Sequence, residues 1–387
     1  MGRPQLKKLL GVALAAAMAA TAGVGRADPA PDGWLVDTWT PPFSYSGIQR
    51  QVVYKPLQHA AKPWRICASY PHLKDSYWLS VNYGMVEHAR RLGIELQVVE
   101  AGGYPNLDRQ KAQIVECTAR ADALIVGTVS YDGLTPIIRD LSRRMPVIAA
   151  VNDINSEGIT AKSGVSWRAM GAAIGTYFAE RHPPGQKPVK IAWFPGPLGA
   201  GWVTFVEQGF RPALANSSAD IVAVKWGDTG FEAQLLLLED VLEEHPDLDY
   251  IIGSAVTADA AVSLLRAKGL SGRIRILADY FTHSTYRATK RGKVEAAPTD
   301  SPVLQGRVAV DQAVRALEGS LTLVQAGPAI QVVDQSNVDR VDIDASLAPA
   351  WFKPTFEVRP QGGGPLLLPV QDVGGNGEGG EGGRWRG

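Results

Sequence analysis

The sequence predicts an α/β protein of two Rossmann-like lobes, each a parallel sheet flanked by helices, with a hinged cleft between them. Three observations predict it. Short apolar runs alternate with amphipathic helical windows through most of the 387 residues. The alternation pauses at 152–166 and resumes with a second set of similar size. A chain of this length, with 45% hydrophobic and 20% charged residues, suits two ordinary domains better than one.

Taken in order, the apolar runs at 65–70, 95–100, 122–127 and 146–151 read as buried strands, and the windows at about 76–92, 107–120 and 134–144 as the helices between them. After the pause come strands at 189–194, 221–226, 249–254 and 274–279, with helices near 167–182, 202–215, 231–244 and 258–268. A further helix (283–291), strand (293–297), helix (302–318) and strand (about 329–335) would overfill the second sheet, so the chain is expected to cross back to the first. Residues 28–63 have no helical period and some β character only at 51–54, and read as an irregular extension. The tail is Gly-rich, without periodicity, and expected to be disordered. The expected division is therefore a signal peptide at 1–27, the extension at 28–63, a first lobe of 64–151 plus 283–322, a second lobe of 152–282 plus 323–358, and the tail at 359–387.

Composition excludes several function classes. Lys and Arg total 39 against 39 Asp and Glu, so no global field gathers nucleic acid or anionic membrane. Two cysteines and six histidines show neither HExxH nor another ligand spacing, and no metal is expected. Arg3, Lys7 and Lys8, an apolar stretch from Leu9 to about Ala22, and the small-residue exit at Gly25-Arg-Ala27 make an export signal; no stretch is long enough to embed the mature chain in a membrane. Export to an oxidising compartment turns Cys67 and Cys117 from idle thiols into an expected disulfide. In a 2-1-3 strand order the helix carrying Cys117 crosses over the strand carrying Cys67, which makes the pairing reachable.

Ligands of open parallel sheets bind beyond the carboxyl ends of the strands, and aromatics recur there: Trp78, Tyr104, Trp167 and Tyr280. Any one of them alone is ordinarily packing. Together, their electron-rich faces would suit a methylated ammonium, at about 0.5 to 2 kcal/mol per contact. Asp75 precedes a helix, where a carboxylate caps free N–H groups; it can serve the cap, a ligand, or both. For catalysis there is no GxSxG elbow and no histidine with a legible partner. Gly196-Pro-Leu-Gly199-Ala-Gly201 follows a strand and opens a helix, but lacks the Lys-Ser/Thr of a phosphate loop and reads as a tight turn.

The segment Lys74-Asp-Ser-Tyr-Trp78, within the run from Ile66 to Met85, and Val98-Val-Glu-Ala-Gly-Gly-Tyr104 carry a resemblance to the TorT family of periplasmic trimethylamine N-oxide (TMAO) sensors. From about Trp64 to Val358 the chain resembles the wider type I periplasmic binding proteins of the ribose-binding kind. The resemblance implies a periplasmic, non-enzymatic protein without a cofactor. It would bind TMAO between its lobes and dock on the periplasmic domain of a TorS-like sensor histidine kinase, controlling TMAO respiration. The ligand box it implies is Tyr77, Trp78, Tyr104, Trp167 and Tyr280, with Asp75 beside it. Sugar-binding relatives usually present Asn-Asp and Gly-Phe-Asp after the third and fourth strands of the second lobe. Here those places hold Ala255-Val256 and Ala278-Asp-Tyr280. The alternatives are a receptor delivering a sugar or other small solute to an ABC transporter, and a secreted α/β enzyme, for which no nucleophile and base pair is visible.

Overall fold

The computed structural model describes residues 33–360, so the expected signal peptide and all of the expected tail beyond Pro360 lie outside the described residues. The extension is not irregular. β1 (Trp34–Thr40) and β2 (Ile48–Tyr54) form an antiparallel hairpin, Trp34 opposite Tyr54 and Thr40 opposite Ile48. Its middle, which holds Pro41 and Pro42, is the connection between the strands. Val36 and Tyr54 bury themselves against Leu304 and Val308, so the hairpin is held by contacts nearly 260 residues away in sequence, as in the pair Tyr54 and Asp311.

The first lobe continues with β3 (Arg65–Tyr70), α1 (Ser76–Leu92), β4 (Glu95–Glu100), α2 (Leu107–Thr118), β5 (Ala123–Val126), α3 (Thr135–Ser142), β6 (Val147–Ala150) and β7 (Ala161–Ser163). The second comprises α4 (Trp167–Arg181), β8 (Val189–Gly196), α5 (Gly201–Leu214), β9 (Ala219–Trp226), α6 (Phe231–Glu244), β10 (Tyr250–Gly253), α7 (Ala255–Ala267), β11 (Arg275–Ala278), α8 (His283–Lys290) and β12 (Ala296–Thr299). The chain returns to the first lobe through α9 (Pro302–Leu317) and β13 (Gln325–Ala326), adds β14 (Gln331–Asp334) to the second, and after the short α10 (Ile343–Ser346) ends on the first with β15 (Glu357–Val358).

The first sheet runs β13-β7-β6-β5-β3-β4-β15 and the second β14-β12-β11-β10-β8-β9. All pairings are parallel except β15 on β4 and β14 on β12. The fold class is therefore the α/β two-lobed one expected, but its lobe boundaries differ. β7, expected in the second lobe, is in the first sheet; α8 and β12, expected in the first lobe, belong to the second. β13 and β15, expected in the second lobe, close the two edges of the first sheet. The second sheet was not full: β12 simply adds beside β11 in the same parallel sense, and only at α9 does the chain cross. Within the first lobe α9 packs closely on α1 at Gly84, where a side chain would strike the carbonyl oxygen of Val303.

Cys67 in β3 and Cys117 in α2 are joined, with Cα atoms 5.9 Å apart. β3 lies between β4 and β5, the 2-1-3 order that brings α2 over it.

Candidate functional site

The carboxyl ends of both sheets face one another across the cleft, and each contributes side chains to an aromatic cage. Asp75 caps α1, its carboxylate accepting from Trp78 N at 3.0 Å. It also lines the cage, so the cap and the ligand roles are both geometrically available. The cap fixes the first turn of α1 and with it Tyr77 and Trp78. The Tyr77 hydroxyl donates to Asp300, beyond β12, at 2.6 Å. Trp78 is buried, stacked on Tyr70 at 5.6 Å, with its six-membered ring lying where a side chain at residue 127 would be; Gly127, just after β5, leaves that space.

Tyr104 follows β4. Its hydroxyl accepts from Asn152 Nδ2 at 3.1 Å, and the same amide group donates to Thr128 O at 2.7 Å. Asn152 is aimed by an unusual backbone: Val151 has φ of +68°, a conformation that costs a β-branched residue on the order of 1 to 3 kcal/mol. The carbonyl of that same residue accepts from Trp167 Nε1 at 2.9 Å. The strained residue thus orients one wall from each lobe. Trp167 itself opens α4, behind the Ser166 cap.

Tyr280, just past β11, meets Tyr77 edge-on at 5.2 Å between ring centroids. The remaining wall is Trp202, in the first turn of α5, 5.3 Å from Trp167, 6.2 Å from Tyr104 and 6.0 Å from Tyr280. All six residues singled out from the sequence line this one space, joined by Asn152, Thr229 and Trp202. Trp202 was missed, although the signal was present. It stands in the first turn of the helix that follows a strand, the place already occupied by Trp78 and Trp167, but the surrounding glycines resemble a phosphate turn instead.

The cage encloses only about 10 Å³, far below the usual ~300 to 1,000 Å³ of drug-sized sites, so its walls stand nearly in contact and suit a ligand of few heavy atoms that enters as the lobes part. Asp75 is its one charged lining residue, with neither Lys nor Arg among the walls, so a positive pole is accommodated and an anion is not. Burial pushes the phenols of Tyr77, Tyr104 and Tyr280 above their ordinary value, and each keeps its proton. Asp279, next to Tyr280, is pushed up to about 8 by burial, and neither of its oxygens has a partner.

The mouth is closed by contacts between the lobes. Lys74 Nζ pairs with Asp228 at 2.5 Å, His72 Nε2 lies 3.3 Å from Thr229 Oγ1, and Tyr131 packs on Phe205 at 5.5 Å. Burial lowers the His72 pKa, ahead of the opposing pull of Asp75. Larger cavities lie elsewhere: one at the foot of the second lobe beside Arg275 and Glu295, another beside Lys162 and Asp153. In each, the named acid and base are paired with one another. Among the described residues no group of three or more His, Cys, Asp or Glu is placed to hold a metal, and no helix is long and apolar enough to cross a membrane.

Comparison with known proteins agrees with this architecture. The family described as "Periplasmic binding protein domain" matches residues 66–321. The chain is 40% identical over 301 residues to the periplasmic protein TorT of Escherichia coli (strain K12), covering 77% of this chain and 85% of that one. A crystal structure of the TorS sensor domain–TorT complex in the presence of TMAO matches with a TM-score of 0.70 and 41% identity, over 76% of this chain and 99% of that chain. An ABC transporter solute-binding protein from Bradyrhizobium sp. BTAi1, with bound bis-tris, matches with a TM-score of 0.72 and 47% identity, over 84% of this chain and 98% of that chain.

Proposed function

The chain belongs to the periplasmic binding protein family and, within it, to the TorT family of periplasmic proteins, and from that premise we propose that it senses TMAO for a membrane kinase. It acts in the periplasm, holds TMAO between its lobes, and presents the occupied form to the periplasmic domain of a TorS-like sensor histidine kinase. It catalyses no reaction. The observation that carries this reading is the cage: six aromatic rings, one carboxylate and no basic side chain around a small space shared by both lobes. The ring faces attract the methylated nitrogen, and Asp75 adds to that attraction. Walls drawn from both lobes make the closed arrangement the one the ligand prefers, and its differential affinity shifts the population toward closure.

Two titrations test it. TMAO and a panel of sugars are titrated into the purified protein by calorimetry; saturable TMAO binding without sugar binding is expected. Sugar binding with no response to TMAO would move the assignment to a transport receptor, the reading suggested by the solute-binding relative. Next, TMAO is titrated with and without the periplasmic domain of the cognate kinase from the same genome. Linkage requires the kinase domain to change TMAO affinity by the factor that TMAO changes kinase affinity. A complex whose formation is independent of TMAO would sink the switch.

A further inference from the structure

Resting on the reading just given, we propose that the indole N–H of Trp202 recognises the ligand's oxygen, and that this residue makes the site selective for an N-oxide over a fully methylated ammonium. Two of the cage's donors are committed. Trp167 Nε1 is spent on Val151 O and the Tyr77 hydroxyl on Asp300. Trp202 differs: its side chain is 3% exposed, and its Nε1 is buried without an acceptor. Nearly all buried donors in folded proteins are paired, and an unpaired one forfeits its hydration for nothing. Here the orphan belongs to a ring of the cage itself. An N-oxide oxygen bears formal negative charge, so the bond it accepts is of the stronger, charge-assisted kind. The free proton of Tyr104, whose oxygen accepts from Asn152, is available as a second donor.

The placement also divides the ligand between the lobes. Asp75, at the start of α1, belongs to the first lobe, and Trp202, at the start of α5, to the second. A dipolar molecule is then held at its positive end from one side and at its negative end from the other. Tetramethylammonium, nearly the same shape but without oxygen, satisfies the rings and leaves Trp202 unpaired.

Calorimetric titration of TMAO and of tetramethylammonium chloride into the wild type and Trp202→Phe tests the assignment, since phenylalanine retains an aromatic face and removes the donor. TMAO affinity is expected to fall at least tenfold, with tetramethylammonium affinity unchanged within twofold. Equal losses for both ligands would reduce Trp202 to a wall of the cage and overturn the proposal, as would no loss for either. Independently of how the variant folds, the wild-type indole ¹⁵N–¹H signal of Trp202 is expected to move downfield with TMAO and not with tetramethylammonium; a signal indifferent to TMAO overturns the proposal. A wild type that binds no TMAO removes the functional reading itself, whereas a wild type that binds it beside an unaffected variant removes only the role of Trp202.

Discussion

Trp78 and Trp167 contribute to the cage in unequal ways, and substitution separates them. Trp78 offers its face while resting on Tyr70 and on the space left by Gly127, whereas Trp167 also ties its indole N–H to the strained Val151. Either change to alanine removes a ring and opens a cavity between the lobes, and each is expected to weaken TMAO binding by at least about tenfold, measured by tryptophan fluorescence or calorimetry. Affinity within twofold of wild type for both would refute the cage. Trp78, Tyr104, Trp167 and Tyr280 were legible because parallel sheets put ligands at strand ends, so a Trp or Tyr following an apolar run is conspicuous; Asp75 stood out as a helix cap, and Tyr77 came only with the family resemblance. Trp202 follows the same rule, yet its strand ends in a glycine-rich turn that resembles other chemistry. Thr229 carries no signal of its own, and Asn152, although it follows a strand, has a side chain that names no ligand. What places Asn152 is the left-handed conformation of Val151, which a valine does not advertise.

At the scale of elements, the repeating strands and helices were legible from period alone, and the N-terminal hairpin was not. Its strands lack a clean alternation because their burial is decided by distant partners. The fastening is a buried carboxylate: Asp311 on α9 accepts from the Tyr54 hydroxyl at 2.9 Å, Leu57 N at 2.8 Å and Arg315 Nε at 2.7 Å, and pairs with His88 Nε2 at 2.9 Å. Burial works against its ionised form, but the bonds to His88, Leu57 and Arg315 prevail and hold its pKa below the usual carboxylate range. Nothing in residues 34–54 names that acceptor. Asp311→Asn leaves several buried donors facing a poorer partner and is expected to destabilise by about 3 kcal/mol or more. Hydrogen exchange is expected to show β1 and β2 losing protection before the sheets; uniform loss across the chain would mean the hairpin is not separately fastened. The lobe boundaries escaped the sequence for a related reason. Whether β12 adds to one sheet or begins a return to the other depends on which edge is open, and that is a property of the assembled sheet.

The whole molecule is governed by what crosses the cleft. His72 is buried there beside Thr229, with Asp75, Lys74, Asp228 and Glu100 as the charged groups around it. Its pKa is lowered in the folded, closed form, so the unfolded chain binds the proton more readily. Stability from this group is then fully present above the ordinary value of about 6.5 and declines as pH falls from there through the lowered one. Melting temperature measured between pH 5 and 8 is expected to drop at the acid end, and His72→Gln to flatten that drop; an unchanged slope would assign it to other groups. The mouth has a temporal consequence as well. A ligand walled in by both lobes, behind the pair Lys74 and Asp228, leaves only when the lobes part, so its residence time is the waiting time for opening. The protein then works as a sampler with a built-in hold, averaging a fluctuating supply over that interval before it answers. Lys74→Ala, which touches no cage ring, is expected to shorten the hold, raising the stopped-flow association and dissociation rates of TMAO together. A faster exit without a faster entry would show that the pair stabilises the bound complex instead of guarding the way in and out.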